Sequence, residues 1–352
     1  MHDIAISNIT VGMGHPPLVI AEMSGNHNQS LERALAIVDA AADAGAHALK
    51  LQTYTADTMT LDSREQGFVI SNPQSLWNGR SLYDLYQEAH TPWEWHEAIF
   101  SRGKEKGMLV FSTPFDATSV DFLQRLDAPC YKVASFESTD TALIRKIAST
   151  GKPVIISTGM ATLAELDETV RTAKEAGAKD IILLKCTSSY PATPAHTNIR
   201  TIPHMRELFD VQVGLSDHTL GIGTAVASVA FGATVIEKHF TVNRAEGGVD
   251  SAFSLEPGEF KALVQETKRA WESLGTVYYG PMPGKEEQER KNRRSLYITQ
   301  DLSAGEILTG QNVRAIRPGR GLPCKFLELV LGKRITRDVK RGTPLSWDIL
   351  LS

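Results

Sequence analysis

The reading that decides the fold lies between Val213 and Phe240: VGLSDHT at 213–219, GIGTAVASVAFGA at 221–233 and TVIEKHF at 234–240. Each outer piece is a short apolar run ending in a polar cluster with one histidine, His218 or His239. The small-residue stretch between them has the length of one helical crossover. Strand, helix, strand follows, with both histidines at the carboxyl ends of neighbouring parallel strands. In a (β/α)8 barrel those ends form the reactive face. Two imidazoles there suit one divalent metal, with positions left for water or substrate. The plain alternative is two loop histidines that only make hydrogen bonds.

Working outward, the same unit repeats. LVIAEM (18–23), AHALKLQ (46–52), MLVFST (108–113), PCYKVAS (129–135), PVIIST (153–158) and DIILLKCT (180–187) read as six further strands. Amphipathic stretches such as SLERALAIVDAAADAG (30–45) and LAELDETVRTAKEAG (163–177) separate them. Gly45 is placed to end the first of these. Residues 3–13 alternate weakly, as a short hairpin ahead of the repeat, and 256–275 supply a closing helix. The fold class is α/β, an eight-stranded (β/α)8 TIM barrel over residues 1–277. Unbroken apolar strands suit a parallel sheet covered on both faces. A doubly wound sheet is disfavoured because no glycine-rich nucleotide turn follows the first strand. Residues 278–294 are rich in charge, proline and glycine and read as a linker, and 295–352 form a small β-rich unit with little core of its own.

Composition narrows the function. The formal charge of −4 and the scattered basic residues give no nucleic-acid footprint. No apolar run reaches the roughly 20 residues of a membrane helix. The opening MHDIAISNIT lacks the charge-then-apolar order of a secretory signal. Three dispersed cysteines, Cys130, Cys186 and Cys324, point to a reducing, cytoplasmic location.

Polar residues collect where the strands end. Glu22, Lys50, Gln52, Ser112, Thr113, Lys132, Ser135, Glu137, Ser157, Thr158, Lys185, Thr187, Ser188, Ser216, Asp217, Glu237 and Lys238 are all expected at one rim, with Tyr190 just beyond. Charges there are costly to bury unless paired or ligand-bound. Two lysines with several hydroxyls make an anion site, most simply for a phosphate with a carboxylate. The alternative is an ion pair of each lysine with Glu22 or Glu137. Those two carboxylates are also the acid–base candidates. His27, in NHN, reads as a loop hydrogen-bonder.

Ten segments together carry a resemblance: AEMSGNHN (21–28), KLQ (50–52), FSTPFD (111–116), YKVASFE (131–137), ISTGM (156–160), CTSSYP (186–191), GLSDHT (214–219), EKHFT (237–241), RRSLY (293–297) and RPGRGLP (317–323). The chain resembles the sialic acid synthase family, in which a (β/α)8 barrel precedes a C-terminal SAF (antifreeze-like) domain. The resemblance implies condensation of phosphoenolpyruvate with an open-chain amino-sugar aldehyde, releasing phosphate. EMSGNHN and SLWNGRSLYDLYQEAHTPWEWHEAIF (75–100) resemble the branch that takes 2,4-diacetamido-2,4,6-trideoxy-L-altrose to make a nine-carbon acid for bacterial surface structures such as flagellin. The neuraminate and legionaminate branches, with the same chemistry on other sugars, are the alternative. The resemblance further implies a metal on His218 and His239, manganese first, with magnesium or cobalt possible. It implies phosphoenolpyruvate contacts from Lys50, Thr113, Lys132, Ser135, Ser157, Ser188 and Ser216. Glu22 matches the residue that handles protons, and Gln52, Glu137, Tyr190 and Asp250 match positions around sugar and metal. Arg317 matches an arginine that reaches a partner subunit's site, implying a homodimer. One departure is Ser188, where the neuraminate branch has asparagine. A non-catalytic anion binder and a metal-dependent hydrolase on the same barrel are the readings from other classes; the second wants a third strong metal ligand.

Overall fold

The computed structural model of the protein describes residues 1–351, so Ser352, the last residue of the expected β-rich unit, lies outside them. The chain divides into two compact units, Met1–Gly275 and the residues from Thr276 onward. No helix among the described residues is long and apolar enough to cross a membrane.

The first unit opens with an antiparallel hairpin, β1 (Ile4–Ile6) and β2 (Ile9–Val11). Eight strands then close a parallel barrel: β3 (Leu18–Glu22), β4 (Ala48–Thr53), β5 (Leu109–Pro114), β6 (Tyr131–Val133), β7 (Val154–Ser157), β8 (Ile181–Cys186), β9 (Gln212–Asp217) and β10 (Val235–His239). They run in sequence order, and β10 returns to pair with β3, bringing His239 opposite Glu22. Helices follow the strands because their punctuation is correct. Ser30 accepts a hydrogen bond from the Arg33 amide to start the helix Leu31–Asp43. Gly45, at φ +87°, ends that helix in a conformation costly for other residues.

Strand alternation sorts the core into two shells. Leu18, Ile20, Ala48, Phe111, Ile155, Ile182, Leu184 and Val235 fill the barrel lumen, and Ile4, Ile6 and Val11 of the hairpin pack into the same cluster. The hairpin therefore plugs the end of the lumen away from the strand carboxyl ends. Burying each of those three side chains contributes about 1.5–3 kcal/mol. Val19, Ala21, Leu49, Leu51, Val133, Leu183, Val213, Leu215 and Ile236 point the other way, against the helices.

The second unit contains the antiparallel pair β11 (Ser295–Ile298) and β12 (Val313–Ile316), with Leu296, Ile298, Leu308, Val330, Ile335 and Leu345 among its core residues. Backbone pairs such as Leu345 N to Leu296 O, 2.9 Å, tie its long loops to β11. The charged stretch 278–294 carries a short helix, Lys285–Glu289.

Candidate active site

The period of two that packs the lumen also sets the reactive layer. Continuing each inward-facing row past its apolar residues gives Glu22 on β3, Lys50 and Gln52 on β4, Thr113 on β5, Lys132 on β6, Ser157 on β7, Cys186 on β8, Ser216 on β9, and Glu237 and His239 on β10. All but Gln52 are buried.

Alternation also removes four residues from the expected rim. Asp217 and Lys238 lie on the outward parity of β9 and β10, and pair with each other at 2.8 Å, shut off from solvent. Lys238 Nζ also donates to the Thr219 carbonyl at 2.5 Å. Ser112 faces outward to Thr53, at 2.6 Å, and Thr53 in turn meets His96 at 2.8 Å. Lys185 shares the outward parity of Leu183 and donates to the Cys186 carbonyl at 2.8 Å. Adjacent strand residues cannot face one way, so a run such as EKH delivers its first and third members inward.

The inward charges form one network. Lys50 Nζ lies 2.7 Å from Glu22, 3.9 Å from Glu237 and 3.2 Å from the Thr113 hydroxyl. Gln52 donates to Glu22 at 2.9 Å. Ser216 donates to Glu237 at 3.1 Å. Lys132 donates to Ser157 at 2.6 Å and to the Val133 carbonyl at 2.8 Å. The Gly159 amide donates to Ser135 at 3.2 Å, and a Cβ built on Gly159 would overlap Ser188 Oγ, so these three line one tight cradle. Glu137 closes the turn Ser135–Glu137 beside it, with one buried oxygen lacking a partner.

Burial and neighbours set the proton affinities. Burial pushes the Glu22 carboxyl up, Glu237 beside it adds to this, and Lys50 pulls the other way. Burial opposes charge on Glu237 too, but Lys132 and Lys50 together hold it below the usual range. Burial holds Lys132 below an ordinary lysine. Burial also works against Lys50, yet Glu22 and Glu237 raise it. Burial lifts Glu137 to about 7. Two carboxylates of opposite tendency share one lysine, an arrangement that separates an acid–base group from a permanent anion.

The imidazoles sit side by side, ring centroids 5.4 Å apart. His218 Nδ1 faces the Thr187 carbonyl at 3.0 Å, so that nitrogen carries the proton and Nε2 is left with its lone pair. His239 Nδ1 is buried without a hydrogen-bond partner, 3.8 Å from Asp250. Burial, with His218 adding, keeps His239 neutral far below the ordinary histidine range. Ser24 hydrogen-bonds Asp250. An unpartnered neutral nitrogen, a second free one beside it and a nearby carboxylate fit a divalent cation. Among the described residues, no set of three or more His, Cys, Asp or Glu side chains closes into a full ligand cage.

Tyr190 packs 4.5 Å from His218 and 5.3 Å from Phe253, centroid to centroid. His27 is tied elsewhere, meeting Thr91 at 3.2 Å and accepting from the Gln29 amide, and burial pushes it down to about 4. Arg317 lies in the second unit, exposed just after β12, with no ion-pair partner among the described residues. Sequence reasoning gave no role to Glu237, Ser24, Cys186, Gly159 or Phe253. Glu237 was findable, because it is two residues from His239 and shares its strand face; Phe253 and Ser24 come from loops, where no period announces direction.

A model described as the NeuB family matches residues 37–279, and the SAF domain matches 293–351. A pseudaminic acid synthase of Campylobacter jejuni is 44% identical over 333 residues, covering 93% of this chain and 94% of its own. One of Helicobacter pylori is 40% identical, covering 96% and 98%. Among solved structures, an N-acetylneuraminic acid synthetase from Leptospira borgpetersenii, in complex with citrate, is 32% identical with a TM-score of 0.73, covering 82% of this chain and 95% of that one.

Proposed function

This chain belongs to the NeuB family, and from that premise we propose that it condenses phosphoenolpyruvate with 2,4-diacetamido-2,4,6-trideoxy-L-altrose and water to give pseudaminic acid and phosphate. It is a transferase that forms a carbon–carbon bond. The observation that carries the reading is 40–44% identity to pseudaminic acid synthases over nearly the whole chain, joined to a mouth built for this chemistry. Two buried lysines and a hydroxyl cradle line one side of the mouth, and two adjacent imidazoles stand at the other.

We assign the roles as follows. Lys50, Thr113 and Ser216 take the carboxylate side of phosphoenolpyruvate; Lys132, Ser135, Ser157 and Ser188 take the phosphate. Both lysines arrive with their charge already held by protein oxygens, so little reorganisation accompanies binding. His218 and His239 would hold a divalent cation, manganese first, with Asp250 orienting beside them; when bound, it supplies Lewis acidity at the aldehyde oxygen. The alkene carbon C3 of phosphoenolpyruvate forms the new bond to the sugar C1. In its ionised form Glu22, whose proton affinity burial raises, takes a proton from the water that adds at C2. One water proton ends on the former aldehyde oxygen, and the other leaves with phosphate as the C2 carbonyl forms. The C2–O bond to the phosphate then breaks, and phosphate leaves with the ester oxygen. Glu237 stays anionic between the lysines and stabilises positive charge developing at C2. Gln52 and Tyr190 position the sugar, and Glu137, raised to about 7, donates to one of its hydroxyls or amides.

We also propose that the enzyme is a cytoplasmic homodimer in which the SAF unit of a second copy supplies Arg317 to the anion side. Its exposed, unpaired guanidinium supports this. The test is a sugar panel. Purified protein, phosphoenolpyruvate and manganese are mixed with the altrose derivative, N-acetylmannosamine or the legionaminate precursor, and phosphate release is followed. Turnover highest on the altrose derivative is expected; preference for another sugar overturns the assignment within the family.

A further inference from the structure

The mouth has two unlike halves. One carries the lysines and hydroxyls; the other is aromatic, and its outermost member, Trp77, comes from neither a strand nor a strand-end turn. The connection between β4 and the helix Leu82–Ala89 is long, and its middle closes on itself. Ile70 and Gly79 are joined at 2.7 Å, Ile70 and Arg80 at 2.9 Å, and Leu82 meets the Phe68 carbonyl at 2.9 Å. These pairs brace residues 70–80 as a compact excursion, a form common in functional loops. Trp77 sits in it, half-buried. Its indole N–H donates to the Val249 carbonyl at 3.0 Å, one residue before Asp250. Its ring lies 6.1 Å from Tyr190, which in turn lies 4.5 Å from His218.

We infer that Trp77, with Tyr190 and Phe253, forms the wall that receives the C6 methyl end of the sugar and so selects a 6-deoxy sugar over a 6-hydroxy one. The inference rests on the proposed reaction. The sugar aldehyde must reach the imidazoles, which leaves the rest of its open chain to run along the aromatic side, since the opposite side is taken by the anion. A methyl group is favourable against indole and phenol faces. A hydroxymethyl group would bring an O–H against ring faces whose one indole N–H is already given to Val249, leaving only the Tyr190 phenol to pair with it. Selection by an apolar wall against an added hydroxyl is worth roughly 10- to 100-fold in kcat/KM.

The experiment compares wild type, Trp77→Ala and Trp77→Gln with two sugars differing only in a methyl or hydroxymethyl at C6. KM and kcat are measured for each sugar, and KM for phosphoenolpyruvate as a control. Wild type is expected to prefer the 6-deoxy sugar by roughly tenfold or more. Both variants should raise KM for that sugar, leave KM for phosphoenolpyruvate unchanged and bring the preference towards one. Should Trp77→Ala fail to fold, Trp77→Gln, which keeps length and a donor for Val249, carries the test. An unchanged preference in a folded variant overturns the inference. If wild type turns over neither sugar, the proposed reaction itself fails; if it turns over both equally, only the role of Trp77 does.

Discussion

Lys238 and Asp217 meet at 2.8 Å with neither side chain open to solvent, behind the two strands that carry the histidines. Each is the chain neighbour of one imidazole, so the pair fixes how β9 and β10 present them. Removing one partner leaves a buried charge alone. Lys238→Met should therefore cost about 3–5 kcal/mol in urea unfolding at neutral pH. The double variant Lys238→Met with Asp217→Leu should recover most of it. Equal loss in both would show that the pair is dispensable and the packing is not.

Manganese affinity, measured by electron paramagnetic resonance without substrate, reports directly on the imidazoles. The protein should bind the ion, and the double change His218→Ala, His239→Ala should abolish this while leaving the melting temperature near its original value. Ligating imidazole must be neutral. Burial holds His239 neutral well into acid, whereas contact with Cys186 overcomes burial and raises His218. Affinity should thus begin to fall at a pH above the ordinary histidine value, because His218 protonates first. Retained binding by the double variant would move the metal elsewhere.

Gly159 has no room for a side chain. A Cβ there would overlap Ser188 Oγ and lie 2.8 Å from Ser135 Oγ. Gly159→Ala should raise KM for phosphoenolpyruvate by roughly 10- to 100-fold, with sugar KM and stability little altered. An unchanged phosphoenolpyruvate KM would place the phosphate away from this cradle.

Glu137 titrates in the folded protein at about 7, against a usual value near 4.5, and burial is the cause. The folded state then holds a proton that the unfolded chain releases, so between pH 4.5 and 7 this group makes stability fall as pH rises. Glu137→Gln stays neutral throughout. Its stability relative to wild type should grow across that interval, by at most about 3 kcal/mol, and level off above pH 7. A constant difference would mean that Glu137 is ionised and paired.

Much of this was legible in the sequence because barrels repeat. Eight apolar runs with polar ends gave the strands, and the histidines of GLSDHT and EKHFT gave the mouth. Facing was harder to read. Lys238 and Asp217 looked like rim residues, since a strand end shows polarity but parity decides direction; counting back from the apolar lumen row would have turned them outward. Glu237 was expected at the rim but given no chemical role, although it shares the strand face of His239. Trp77 and Phe253 lay beyond any such count, because loop residues reach the mouth through tertiary contacts that no local pattern encodes. Arg317 came only from the resemblance of RPGRGLP.

Glu22, held by Lys50 at 2.7 Å and by Gln52 at 2.9 Å, is assigned to direct water at C2 rather than at phosphorus. Running the condensation of phosphoenolpyruvate with the altrose derivative in water labelled with heavy oxygen, and weighing the phosphate released, tests this claim most directly. The account predicts a nine-carbon acid, unlabelled phosphate in equal amount, and loss of both products in Glu22→Gln with phosphoenolpyruvate still bound. Labelled phosphate, or full turnover by Glu22→Gln, would contradict it.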